Sequence, residues 1–137
     1  MSEQNKALAK RWFEEVWNQG KQSTIEELFH PKGKAYGFPE PDSVLIGPEE
    51  FKPVHRRFHD AFSNIHLTID DLIAEGDKVA IRWTATVLHT GDGLGFPATK
   101  KKAAMPGSSF ITIRKGQLTD AWNFMDFTKV MLALQNK

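Results

Sequence analysis

The chain contains no cysteine. That absence excludes disulfide frameworks, Cys-ligated zinc, iron–sulfur clusters and thiol nucleophiles together, and it suits a reducing compartment. Charge of either sign is not in surplus: 18 Lys and Arg stand against 17 Asp and Glu, a formal net charge of +1. No global field therefore draws the protein to nucleic acid or to an anionic membrane, and small molecules or proteins are the expected partners. No stretch approaches the ~20 apolar residues that a membrane span requires, and Met1 to Lys10 is polar, without the apolar run of a secretory leader. The expectation is a soluble, cytoplasmic protein. Aromatics, by contrast, are plentiful: four Trp, ten Phe and one Tyr in 137 residues. A chain of this length buries roughly two-thirds of its unfolded surface and needs no covalent or metal staple, so one domain spanning the whole chain is expected.

From Glu3 to Trp17 the apolar residues Leu8, Trp12, Phe13, Val16 and Trp17 recur at helical spacing, with Ser2 as a cap and Gly20 as the stop. A short second helix is expected behind Thr24 as cap, ending at Pro31, and Lys32 to Pro41 reads as turns around a short strand. A third helix begins at Pro48 and carries Phe51, Val54, Phe58, Ala61 and Phe62 on one stripe; Pro53 either kinks it or delays its regular bonding. From His66 onward the period drops to 2. Strands are expected at His66 to Glu75, Lys78 to Thr90, Ala103 to Lys115 and Gln117 to Phe127, joined by Gly76-Asp77, a Gly-rich loop and Lys115-Gly116. Phe127, Val130, Met131 and Leu134 return to helical spacing. Helices first and a curved antiparallel meander after make an α+β layer arrangement, a cone whose open end is a pocket.

Several stretches resemble one family: Ala61-Phe62, Glu75-Gly76-Asp77-Lys78-Val79-Ala80, Arg82-Trp83-Thr84, His89-Thr90-Gly91, and Gly116 through Asp120, Trp122 and Asp126. They resemble the SnoaL-like polyketide cyclases, within the cone-shaped nuclear transport factor 2-like (cystatin-like) superfamily, over nearly the whole chain. The resemblance implies an intramolecular aldol closure of a polyketide ester by an acidic side chain in the cone, no cofactor, and a homodimer. The chain departs from the family pattern in three places. Ala61-Phe62-Ser63-Asn64 stands for Ala-Phe-Pro-Asp, Pro97 to Lys102 replaces Pro-Thr-Gly-Lys, and Asp120 occupies a position where Glu is commoner.

On the last strand, simple alternation places Leu118, Asp120, Trp122, Phe124 and Asp126 on one face. A carboxylate held against Trp and Phe loses solvation and becomes a proton carrier nearer neutrality, so Asp120 and Asp126 are the candidate acid/base groups. The alternatives are pairing with Arg82 or Arg114, or exposure at the strand end. His89 closes an otherwise apolar strand face (Val79, Ile81, Trp83, Ala85, Val87), as a hydrogen-bonded core residue or as a proton relay that orients substrate. The opposite face carries Arg82, which would stabilise an oxyanion or pair with Asp120 if that face were internal. Trp12, Phe58, Phe62, Trp83 and Trp122 are core residues and candidate walls of a substrate pocket, with Arg82 or Trp122 at its polar end. His55 and His59 share a helical metal spacing but lack a third ligand, so a solvated helix face is expected and no metal. Lys100, Lys101 and Lys102 form a solvated loop or a lid; Gly91, Gly93 and Gly95 precede no helix and make no phosphate cradle.

Two classes of function follow. One is a cofactor-free enzyme acting by acid/base chemistry on a small hydrophobic carbonyl compound, a cyclase or a relative such as an isomerase or epoxide hydrolase. The other is a binding or association module that has the cone but no catalysis. A sheet covered by helices on one face leaves its other face for a second copy, so a homodimer is expected on physical grounds as well.

Overall fold

The computed structural model describes residues 2–38, 40 and 42–135, with Ser2 described by its backbone alone; the expected Ser2 cap and Pro41 lie outside these. The first helix, α1 (Ser2–Arg11), widens into a π-helical stretch over Trp12–Asn18. The amide of Gln19 reaches back five residues to the Glu14 carbonyl at 2.9 Å. This looser pitch seats Trp12, Phe13 and Val16 together on the buried side. Gly20, with φ +71°, ends the stretch in a conformation that costs glycine little.

Helix α2 (Gln22–Leu28) contains Thr24 instead of being capped by it: the hydroxyl donates to Glu15 Oε1 at 2.7 Å. Strand β1 (Phe29–Tyr36) follows at once, so Pro31 lies within a strand, in the irregular stretch between Phe29 and Lys34 where a missing amide is tolerated. After β2 (Val44–Ile46), α3 (Gly47–Ala61) starts with Pro48 in its first turn and runs on through Pro53. The meander then comprises β3 (Phe62–Glu75), β4 (Lys78–His89), β5 (Lys102–Arg114) and β6 (Gln117–Met125), and α4 (Phe127–Gln135) closes the chain.

The six strands form one curved, unclosed sheet in the order β2-β1-β6-β5-β4-β3. All neighbours are antiparallel except β1 and β6, which pair in parallel. The helices lie in the concave face, and the core is what they enclose: Val16, Ile25 and Leu28 from the helices meet Ile81, Ile111, Ile113 and Leu118 from the strands. The Gly-rich loop after β4 packs against the end of α3, where a Cβ at Gly91 or Gly93 would run into the main chain of Asp60 or Arg57. Close approach is therefore what these glycines serve.

One irregularity governs everything that follows. Ile113 pairs with Leu118 and the adjacent Thr112 with Asp120, so Thr119 is an extra residue on β6. Such a bulge shifts the alternation by one. Leu118 points inward and is 1% exposed; past the bulge, Ala121, Asn123 and Met125 take the inner face, while Asp120, Trp122 and Phe124 face out.

Candidate functional site: an aromatic cavity in the cone

Between the concave face and the helices lies a cavity of about 980 Å³, counted out to its open mouth. Ten of its lining side chains are aromatic, among them Trp12, Phe13 and Trp17 from the π-helical stretch and Phe51 and Phe58 from α3. No ionisable side chain belongs to its lining among the described residues. The polar side chains there are Ser109 and Asn123, with the Trp83 indole N–H beside them. Trp83 Nε1 donates to Ser109 Oγ (3.0 Å), Ser109 Oγ donates to Asn123 Oδ1 (2.8 Å), and Asn123 Nδ2 donates to the Tyr36 carbonyl (3.0 Å). Gly107 makes room for this arrangement, because a Cβ there would strike the Trp83 indole.

The structure places four of the expected substrate-binding residues, Trp12, Phe58, Phe62 and Trp83, on the cavity wall. The others are on the far side of the sheet. Trp122 is 47% exposed and stacks on Tyr36 with centroids 3.9 Å apart. Arg82 is exposed on the convex face and pairs with Asp71 at 2.9 Å, not with Asp120. Asp120 faces out with them and accepts a hydrogen bond from Thr112 Oγ1 at 3.0 Å. Of the face expected to join Leu118, Asp120, Trp122, Phe124 and Asp126, only Asp120, Trp122 and Phe124 stay together: Leu118 points inward, Asp126 lies beyond the strand, and the bulge at Thr119 turns the remainder away from the cavity. Asp126 is exposed beyond the end of β6 and accepts the Lys129 amide at 3.0 Å, capping α4.

His89 sits on the inward face of β4, past Val87, and is fully buried. It is not on the cavity lining. Its Nδ1 accepts the Thr99 amide (3.1 Å), while its own amide and carbonyl bond Lys101 O (2.9 Å) and the Lys100 amide (2.8 Å). The imidazole thus staples the loop of residues 90–101 to the sheet. With Nδ1 accepting, the ring proton sits on Nε2, which is buried, has no hydrogen-bond partner among the described residues, and belongs to a ring flanked by Phe62 and Phe96.

The sequence profile of the SnoaL-like polyketide cyclases matches residues 7–134. The chain belongs to the SnoaL-like polyketide cyclase family. No curated protein matches it. Among solved structures, a SnoaL-like family protein from Jannaschia sp. CCS1 superposes with a TM-score of 0.89 at 22% identity, covering 100% of this chain and 95% of that one. A polyketide cyclase family protein from Acidithiobacillus ferrooxidans gives 0.80 at 26% identity over 96% and 94% of the two chains. A Catenulispora acidiphila protein of ketosteroid isomerase-like fold, crystallised with trimethylamine, gives 0.70 at 18% identity over 85% and 83%. The fold is thus the ketosteroid isomerase-like, nuclear transport factor 2-like cone.

Two departures of this SnoaL-like chain from its family pattern now have a physical content. Asn64 and Lys100 adopt φ of +55° and +60°. Asn is among the side-chain-bearing residues that best tolerate the left-handed region, whereas a lysine there bears the Cβ penalty that glycine escapes. The helical histidines differ from expectation too. The α3 face carrying His55 and His59 is packed against the π-helical stretch, not solvated: His55 Nε2 lies 2.6 Å from the Val16 carbonyl and His59 Nε2 3.0 Å from that of Trp17. These are carbonyls at the end of a helix, where in-helix donors run out. Burial pushes His55 down from 6.5 to about 4. No group of three or more metal-ligating side chains occurs among the described residues, and no described helix is long and apolar enough to cross a membrane.

Asn123 and Ser109 were not singled out from the sequence. The available signal was an Asn in mid-strand, where that residue is depleted, and locating it in the cavity required the bulge.

Proposed function

We propose that this SnoaL-like domain takes up a small, neutral, largely apolar molecule in the cone, and that binding, not acid/base turnover by Asp120, Asp126 or His89, is what its site is built for. The observation that carries this reading is the lining itself, ten aromatic rings and, among the described residues, no ionisable group. Apolar walls with few polar groups are the usual composition of a ligand site. An anion entering such a space forfeits its hydration without a countercharge, a penalty of several kcal/mol or more. An intramolecular aldol closure or an enolisation needs a proton carrier at the substrate. The carboxylates expected to supply one, Asp120 and Asp126, are not among the side chains that line the cavity, and the isomerase and epoxide hydrolase readings meet the same difficulty.

Titration with the neutral fluorophore N-phenyl-1-naphthylamine tests this, using its emission and the quenching of Trp12, Trp17 and Trp83. Saturable binding of one probe per chain is expected, with the anionic 8-sulfonate of the same skeleton bound at least about tenfold more weakly. Equal or tighter binding of the sulfonate, or no saturable binding of either, overturns the reading.

We further propose that the domain works as a homodimer through the convex face of its sheet. Phe110 and Trp122 are paired across β5 and β6, Phe124 packs edge-on to Phe110, and all three are about half exposed. A contiguous aromatic patch on a sheet face calls for a cover. Sedimentation of the wild type as a dimer at micromolar concentration, and of Trp122→Glu as a folded monomer, is the expected result; a monomeric wild type contradicts it.

A further inference from the structure

The cavity's polar cluster is directional, and its direction leaves one group unused. An indole N–H only donates and a backbone carbonyl only accepts. Trp83 therefore obliges Ser109 to receive on one side and to donate on the other, and the Tyr36 carbonyl obliges Asn123 to turn its nitrogen that way and its oxygen toward Ser109. The amide orientation follows from these two fixed ends. The backbone holds them in place: Gly37, with φ +75°, lies so close to β6 that any Cβ would collide with the Asn123 carbonyl, which keeps Tyr36 against the Asn123 side chain. Gly107 holds the Trp83 indole in the same way from β5.

Asn123 has two N–H donors on Nδ2, and one is spent on Tyr36. The second has no partner among the described residues, and Asn123 lines the cavity. What remains unused on the Ser109 and Asn123 oxygens is lone pairs, which tolerate being left unpaired better than an N–H does. The need of this cluster is therefore for an acceptor. A neutral acceptor carried on an apolar frame is the chemistry of a ketone or ester carbonyl.

We propose that the second Nδ2–H of Asn123 receives the carbonyl oxygen of the ligand, with Ser109 and Trp83 as positioning residues that aim it. This rests on the cavity being a site for neutral ligands, and it selects carbonyl compounds over hydrocarbons of the same shape. The same donor would stabilise negative charge building on that oxygen, which is the assistance this cavity can offer an enolisable ligand.

The test uses two matched probes, 2-acetylnaphthalene and 2-ethylnaphthalene, titrated against the full chain by tryptophan quenching, with the infrared carbonyl stretch of the bound ketone recorded alongside. In Asn123→Leu the ketone is expected to weaken about tenfold while the hydrocarbon changes by less than about twofold. The stretch is expected below its hexane value in the wild type and back at that value in the variant, with Ser109→Ala in between. A purely structural role for Asn123 would weaken both probes alike and leave the wild-type stretch at its hexane position; either result overturns the assignment. If Asn123→Leu does not fold, the wild-type stretch and Ser109→Ala decide. Failure of both probes to bind the wild type would instead sink the cavity reading on which the assignment stands.

Discussion

The two faces of the one sheet carry similar residue types and use them in opposite ways. On the concave face, Trp83 is buried, hydrogen-bonded to Ser109 and part of a wall without charge. On the convex face, Trp122 lies half exposed, stacked on Tyr36 and paired across the strands with Phe110. Polar atoms on the concave side are few and mostly satisfied by one another, as in the series Trp83, Ser109, Asn123 and the Tyr36 carbonyl. Those on the convex side are partnered in a different way, Arg82 with Asp71 as an exposed ion pair and Asp120 with the buried Thr112 hydroxyl as a hydrogen bond. The lesson is that aromatic neighbours along a strand do not by themselves place a carboxylate in the cavity; the face of the sheet on which they lie decides it.

Substitutions made in pairs across the sheet put this contrast to the test. The largest difference is expected between the two tryptophans. Trp83→Ala removes a buried ring and its hydrogen bond and should cost about 3–5 kcal/mol in urea unfolding. Trp122→Ala at protein concentrations low enough to be monomeric should cost about 1 kcal/mol or less. Equal losses would mean that Trp122 is no surface residue.

Acid supplies the next largest effect, on the helical side of the cavity. The folded state holds His55 near 4 against an ordinary 6.5 because burial disfavours the cation. The unfolded chain therefore takes up a proton that the folded one refuses. Stability should be level above pH 6.5 and fall by about 3 kcal/mol between 6.5 and 4. Below that, a second loss is expected as pH falls from 4.5 toward 2, where Glu15, held at about 2 by Arg11 and Thr24, finally protonates. Urea midpoints measured from pH 8 to 4 should lose the upper slope in His55→Gln; an unchanged slope would assign it to another group.

Smaller still is Lys100→Gly, which relieves a left-handed backbone and should raise stability by about 0.5–1 kcal/mol. A loss would show that the Lys side chain holds the loop. The smallest effect is expected for Asp120→Asn and Asp126→Asn: affinity for the neutral probe should stay within about twofold of wild type in both. A large change in either would place that acid at the cavity after all.

Much of this architecture was legible locally. Apolar residues at steps of three and four marked the helices, and the change of period at His66 marked the meander. Lys115-Gly116 marked a tight hairpin, borne out by φ of +52° and +78°, the mirror-image turn that matches strand twist. The aromatics Trp12, Phe58, Phe62 and Trp83 were candidate pocket walls for a simple reason, that a single small domain has few places to put so many rings. Two other features carried no local sign. The parallel pairing of β1 with β6 joins segments some eighty residues apart, and no turn residue announces it. The side exchange at Thr119 arises because Leu118 and Ala121 both have to meet the core, and the chain accommodates them with an extra residue.

The amino-acid sequence by itself determined the class of fold, through periodicity and turn chemistry, and the family, through motifs that resemble it and a profile that matches residues 7–134. It also determined that redox and thiol chemistry have no protein ligand in cysteine. The tertiary structure decided which face of β6 looks into the cone, and with it which residues form the site. Side chains alternate with period two, so one inserted residue reverses every assignment beyond it, and only the pairing of β6 with its neighbours reveals where that residue lies.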